Sequence, residues 1–270
     1  FNLSDGPVSV DTGFIVYNEV NYPLLTKLFA HLGVRTHPSD MSFGVRYGDG
    51  ELEFCASSLG GLFAQKRNLF SPPYFKMLGD ILRFFRSAQT LIEKQDNPTL
   101  EEFLNQLGTG EWFRDRFLIP MGAAIWSSPP ADMFAFPAKT FIQFFKNHGL
   151  LSVRGHHKWR TVSGGSHTYV ESIAQRLGNR LRLRTPVVQV CPSDQGIVVH
   201  THHGDKDFYD HVVLDSHADT SLKILANPSP EQCQNLSAFA FRDNEAILHT
   251  DERLMPNHRK AWASWDKIFL

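Results

Sequence analysis

Two adjacent glycines, Gly164 and Gly165, constrain this chain more than any other feature. They sit inside Thr161-Val162-Ser163-Gly164-Gly165-Ser166, so an apolar run ends in a glycine turn. A helix is expected next, over 167–177. Its apolar stripe is Tyr169, Val170, Ile173, Ala174 and Leu177, with Ser166 as N-cap and Gly178 just past the end. Runs rich in β-branched residues follow at 181–185, 187–191, 197–202 and 210–216, punctuated by Pro192, Gly196 and Gly204. Glycine turn, helix and β-meander in that order form either a piece of an enzyme fold or an ordinary αβ connection. The stretch alone leaves both open.

The rest of the chain is more helical. A short strand is expected at 8–11 and a helix from Asn21, as N-cap, to Leu32, with Gly33 as its stop. Gly48-Asp49-Gly50 between apolar runs 42–47 and 51–54 reads as a hairpin. Ser71-Pro72-Pro73 opens a long helix to about residue 93, with Phe75, Leu78, Ile81, Leu82, Phe85 and Ile92 facing inward. Thr99-Leu100-Glu101-Glu102 is a capping box for a helix ending at Gly108. Further helices are expected at 112–126 and 138–148, separated by Ser127-Ser128-Pro129-Pro130, and a seam at 155–158. The resulting class is mixed α/β.

With 27 basic and 28 acidic residues, no global field favours nucleic acid, and no apolar run is long enough to span a bilayer. Three dispersed cysteines, Cys55, Cys191 and Cys233, argue against a disulfide framework and suit a reducing, cytoplasmic setting. Phe1 is not an initiator Met, and the chain ends in the apolar Ile268-Phe269-Leu270, so an internal piece of a longer protein is expected.

Several motifs invite a chemical reading. Asp11-Thr12-Gly13 resembles the catalytic turn of aspartic proteases, whose chemistry needs a second carboxylate to share a proton; no second such triplet is present. His200, His202 and His203 lie close together, but an exposed strand face explains them and no metal site is expected. There is no G-x-G-x-x-G, P-loop or nucleophile elbow. The 22 phenylalanines, Phe134, Phe136, Phe141, Phe144 and Phe145 among them, are either core or the lining of an apolar cavity. The neighbours Arg83, Phe84, Phe85 and Arg86 raise a third option, a face that rests on a membrane.

At the level of longer words the chain resembles the flavin-containing amine oxidoreductase superfamily, and within it the bacterial predicted NAD/FAD-binding protein subfamily. The words are Val10-Asp11-Thr12-Gly13-Phe14-Ile15-Val16-Tyr17-Asn18-Glu19, Phe63-Ala64-Gln65-Lys66-Arg67-Asn68, Pro120-Met121-Gly122-Ala123-Ala124-Ile125-Trp126-Ser127, Asn147-His148-Gly149-Leu150-Leu151 and Leu248-His249-Thr250-Asp251. The likeness runs over essentially the whole chain. It implies an FAD-dependent oxidoreductase that moves a hydride from a substrate carbon to flavin N5; the alternative is a non-catalytic ligand- or lipid-binding module. The substrate would be a small apolar or lipid-like molecule or an amine. Part of a glutathione-reductase-like FAD-binding domain is implied at 1–60 and 155–220, and a helix-rich substrate domain at 61–154 and 221–270. Cofactor-binding positions would be Gly13, Phe14, Gly164, Gly165, Val187, Ser216 and His217. Trp126, His148 and His249 are cavity candidates, and no catalytic acid or base is assigned. The family's first glycine-rich unit and its C-terminal flavin motif have no counterpart in these residues, so weak FAD binding is expected of this stretch alone. The strand expected to approach flavin N5, 244–248, holds no lysine.

Overall fold

The computed structural model describes residues 2–3, 6–151, 157–241, 243 and 245–269. They divide into two compact units, 1–172 with 248–270, and 173–247.

The larger unit carries three small sheets and most of the helices. Strands β1 (Asn2–Leu3) and β2 (Gly6–Pro7) pair with each other. Strands β3 (Tyr17–Asn18) and β4 (Thr36–Ser39) both pair antiparallel with β7 (Trp159–Val162), which lies between them. Helix α1 (Pro23–Leu32) connects β3 to β4 and ends on Gly33, whose φ of 69° is the left-handed stop read from the sequence. Its cap is Tyr22 rather than Asn21, whose amide donates to the Asn18 side chain at 2.8 Å. The strand expected at 8–11 does not form. That segment lies outside the ladder and Asp11 uses its side chain instead, while β3 does the pairing.

The third sheet is the hairpin β5 (Phe43–Tyr47) and β6 (Leu52–Cys55), turned as expected through Gly48 and Gly50 at φ 58° and 88°. Strand β11 (Trp265–Phe269) joins it in parallel, Trp265 opposite Phe43. No sequence signal indicated this pairing; an apolar run near a chain end does not name its partner.

Around this sheet pack α2 (Leu59–Leu62), α3 (Pro72–Glu93) and α4 (Leu100–Leu107), then α5 (Glu111–Phe113) and α6 (Ile119–Trp126) joined by a π-helical turn at Arg114–Leu118. Pro120 explains that turn. It lacks the amide that would reach the carbonyl four residues back, so the helix widens just before it. Helices α7 (Pro130–Phe134) and α8 (Ala138–Asn147) complete the layer. The Thr99–Glu102 capping box forms on both sides. Helix α3 is rotated by about one residue from the expected face. Tyr74, Met77, Asp80, Ile81, Phe84, Ala88 and Leu91 are buried, and Phe75 and Leu82 are exposed. Asp80 tolerates burial because its carboxylate accepts the Gly110 amide at 2.9 Å.

The phenylalanines are mostly core. Phe54, Phe84, Phe113 and Phe117 meet ring to ring at 5.6–6.4 Å, and Phe141 stacks on Phe145 at 4.3 Å. Each fully buried ring is worth about 2–3 kcal/mol.

Helix α9 (His167–Leu177) forms over the expected residues, yet none of its side chains is buried. In the smaller unit, β8 (Val187–Ser193), β9 (Gly196–Thr201) and β10 (Lys206–Tyr209) make an antiparallel meander. Helices α10 (Ala218–Ile224) and α11 (Pro230–Ser237) follow. The strands expected at 181–185 and 210–216 are not strands. The turn at Gly204, φ 89°, returns the chain so early that 206–209 takes the place beside β9. The apolar run behind it is left without a ladder, and Val213 is 91% exposed. Residues 245–248 also lack strand structure, while Asn244 and two residues of the expected seam, Gly155 and His156, lie outside the described residues.

Candidate functional site

The glycine turn is held by residues far away in sequence. Val162 ends β7, and Gly164 and Gly165 follow at φ 87° and 94°, values that side chains with a Cβ rarely adopt. A Cβ on Gly165 would stand 3.2 Å from His167 Nδ1, 3.3 Å from Ser9 Cβ and 3.4 Å from Asp11 Oδ1. The next amide, on Ser166, donates to Asp11 Oδ1 at 2.8 Å, and the Ser166 hydroxyl donates to the Phe14 carbonyl at 3.1 Å. One turn back, the Thr161 hydroxyl donates to the Ile15 carbonyl at 2.7 Å. Three bonds thus clamp segment 11–15 onto segment 161–166.

This arrangement corrects two readings of single motifs. Asp11 faces a backbone amide at the mouth of α9, where its negative charge also suits the helix dipole. It positions a turn rather than sharing a proton with a second carboxylate, which removes the basis of the protease reading. Ser166 does not cap α9 through its hydroxyl, because that hydroxyl is committed to Phe14.

The clamp leaves Gly13 and Phe14 on a ledge. A Cβ on Gly13 would meet nothing within 4 Å. Phe14 is half-exposed, packs edge-on against Tyr22 at 5.5 Å, and is flanked by the exposed Val10 and Ile15. An open glycine beside exposed apolar side chains fits a flat, largely apolar ring laid against the backbone. On the other side of the turn, Ser163 Oγ lies 3.1 Å from His37 Nδ1, a contact the sequence did not suggest because β4 and β7 are far apart in the chain.

The remaining cofactor positions lie in the smaller unit. Val187 opens β8 with its side chain part-exposed, and the preceding Pro186 carbonyl accepts the His202 amide at 2.9 Å. Ser216 Oγ contacts Ser221 Oγ at 2.8 Å. The ring of His217 stacks flat on Phe241, 4.4 Å between centroids. One carboxylate oxygen of Asp219, two residues further on, is buried without a hydrogen-bond partner, a natural acceptor for a hydroxyl group. Nothing in the sequence marked it.

The cavity candidates separate. Trp126 and His148 meet through Phe144, at 4.8 Å and 3.9 Å between centroids, and His148 stacks further on Trp159. The His148 ring is fixed by a 2.8 Å contact between Nδ1 and the Phe144 carbonyl. His249 is exposed, and its Nδ1 accepts the amide of Asp251 in its own loop. The rings of Phe136, Phe141 and Phe144 pack on Trp126, and a Cβ on Gly122 would come within 2.9 Å of Phe141. A cavity of about 700 Å³ lies elsewhere, between the start of α3 and α5, lined by Lys76, Asp80, Glu111, Trp112 and Arg114 among others. Among the described residues no cluster could hold a metal ion, and no helix is long and apolar enough to cross a membrane.

The fold is that of the FAD-dependent amine oxidases, as comparison with solved structures shows. The structure is similar to an engineered triple mutant of putrescine oxidase, with a TM-score of 0.62 at 16% identity over 87% of this chain and 53% of that one. A CLA-producing fatty acid isomerase from P. acnes gives 0.57 at 12% identity over 86% of this chain and 53% of its own. A protoporphyrinogen-oxidase-like protein from Exiguobacterium sp. 255-15 gives 0.54 at 16% identity over 85% and 52%. The chain thus spans about half the length of these proteins. No curated protein sequence matches it significantly. The chain belongs to the flavin containing amine oxidoreductase family, whose model matches residues 2–263.

Proposed function

We propose that the protein is an FAD-dependent oxidoreductase acting on a small apolar or amine substrate. The observation that carries this reading is the clamp between segments 11–15 and 161–166, which exposes Gly13 and Phe14 as a platform. Family membership and the flavoprotein fold support it. Bound FAD would supply a hydride acceptor. Gly13 would let the ring approach the backbone, and Phe14 would cover part of it. Gly164 and Gly165 would hold that platform in place. Val187, Ser216 and His217 would serve the nucleotide end, with the unpartnered Asp219 oxygen accepting a ribose hydroxyl. An Asp11 carboxylate at the α9 mouth argues against a phosphate there, since like charges would meet.

Domain roles follow the same reading. Residues 1–60 and 155–220 would serve the cofactor, and 61–154 with 221–270 the substrate. Trp126 and His148 would then form a wall of the substrate side, and His249 part of its rim. A lipid-like substrate fits the aromatic cap and the fatty acid isomerase among the similar structures; an amine fits the putrescine oxidase. The three free thiols suit the cytoplasm.

The test is the visible spectrum of the protein as its gene encodes it, after gentle purification. Flavin absorbance, reduced in Gly13→Val, is the expected result. No flavin, and no uptake of added FAD, would refute the reading. Anaerobic bleaching by amines or by fatty-acyl compounds then assigns the substrate class.

A further inference from the structure

Residues 65–70 invert the usual pattern of burial. In the segment before α3, the polar side chains of Gln65 and Asn68 are buried, while Leu69 and Phe70 point to solvent, Phe70 at 87% exposure. This is not slack structure. Gln65 Oε1 accepts the Glu53 amide at 2.9 Å and its amide group donates to the Gly50 carbonyl at 2.7 Å, so the segment is bolted to the hairpin. Phe63 packs on Tyr74 and Phe75, and the Tyr74 hydroxyl donates to the Leu62 carbonyl, which ties α2 and the segment to the start of α3. The same surface continues along the outer stripe of α3, where Phe75, Lys76, Gly79, Leu82, Arg83 and Arg86 are all exposed. Leu59 adds a further exposed side chain at 77%.

Its charge is one-sided. Between Phe54 and Ile92 the basic residues are Lys66, Arg67, Lys76, Arg83 and Arg86, and the only acid is Asp80. Asp80 is 2% exposed and bonded to the Gly110 amide, so it offers no negative surface. Arg67 turns toward the Gly50 and Glu51 carbonyls, Arg83 lies 3.6 Å from Asp80 and donates to the Leu107 carbonyl, and Glu111 shares a groove with Lys76, which leaves Lys66 and Arg86 as the outward cations. Rigid exposed aromatics among cations of one sign match an anionic lipid surface, with Phe and Leu entering the acyl boundary and Lys and Arg meeting headgroups. Phe84, which the sequence offered for such a face, is buried; Leu69 and Phe70 take its place.

We propose that the face formed by Leu59, Leu69, Phe70 and the outer stripe of α3 docks the protein peripherally on anionic membranes. This does not rest on the flavin reading.

The test is co-sedimentation of the whole protein with phosphatidylglycerol/phosphatidylcholine vesicles and with phosphatidylcholine vesicles. Binding to the anionic vesicles should be at least about tenfold tighter and should weaken in about 0.5 M salt. Phe70→Ser, at a site too exposed to affect folding, should lower it about tenfold. Lys66→Gln with Arg86→Gln should lower it while leaving the circular dichroism spectrum unchanged. No pelleting with either vesicle overturns the proposal, as does unaltered pelleting of Phe70→Ser. Self-association that Phe70→Ser abolishes, without vesicle binding, overturns it in favour of a second copy on this face.

Discussion

Glu53 is fully buried on β6, and its carboxylate gathers a distant loop. Oε1 accepts the Asn257 amide at 2.8 Å; Oε2 accepts the His258 amide at 3.0 Å and His258 Nδ1 at 2.6 Å. Arg46 stands 3.9 Å away and donates to the carbonyls of Arg253 and Met255, fastening the same loop. Burial pushes the Glu53 carboxyl up, but the bonds from the Asn257 amide, the His258 side chain and the His258 amide outweigh it and hold it below its ordinary 4.5. Glu53→Gln keeps one acceptor oxygen and puts an NH₂ group against two donors. Two charge-assisted bonds disappear and buried donors are left unmatched, a loss of about 3–5 kcal/mol. His258→Ala removes one bond at a half-exposed ring and should cost only about 1 kcal/mol. Urea unfolding measures both, and amide exchange at Asn257 and His258 localises the effect. Because the folded pKa is depressed, this stability is present above about pH 4.5 and is lost as pH falls through the folded value. The gap between wild type and Glu53→Gln should therefore narrow in acid. A Glu53→Gln protein within about 1 kcal/mol of wild type at pH 7, with both amides still protected, would refute the reasoning.

Other substitutions test other parts of the fold. Burial raises the Asp266 carboxyl to about 6, above its ordinary 3.8, so wild-type stability should fall as pH rises from about 4 to 6. Asp266→Asn should remove that slope and raise stability at pH 8 by about 1–2 kcal/mol in thermal melts; an unchanged slope would refute the burial cause. Asp11→Ala should cost about 1–2 kcal/mol by freeing the Ser166 amide, and Asp11→Asn less, since it keeps an acceptor; equal losses in urea unfolding would contradict the clamp. Gly165→Ala forces a Cβ into φ 94° and against His167, Ser9 and Asp11, for about 2 kcal/mol in the same assay.

The local events were legible in the residues: the stop at Gly33, the hairpin at Gly48-Asp49-Gly50, the Thr99 capping box, the glycine turn and α9. Each depends on a backbone preference or a bond within a few residues, so each can be read from its own stretch. It also pointed to the family, whose model matches residues 2–263. Packing then settled which faces and which partners those elements use. Helix α3 buries a face one residue away from the expected one, with Asp80 accepting the Gly110 amide, β11 pairs with β5, and the return at Gly204 put 206–209 beside β9 where 210–216 was expected. Asp11 shows the difference most plainly. Its triplet suggested catalysis while its partner was unknown, and the role changed once the partner proved to be the Ser166 amide. Such bonds join residues far apart in the chain, and no local preference encodes them; they are settled when the packed core brings the groups within reach.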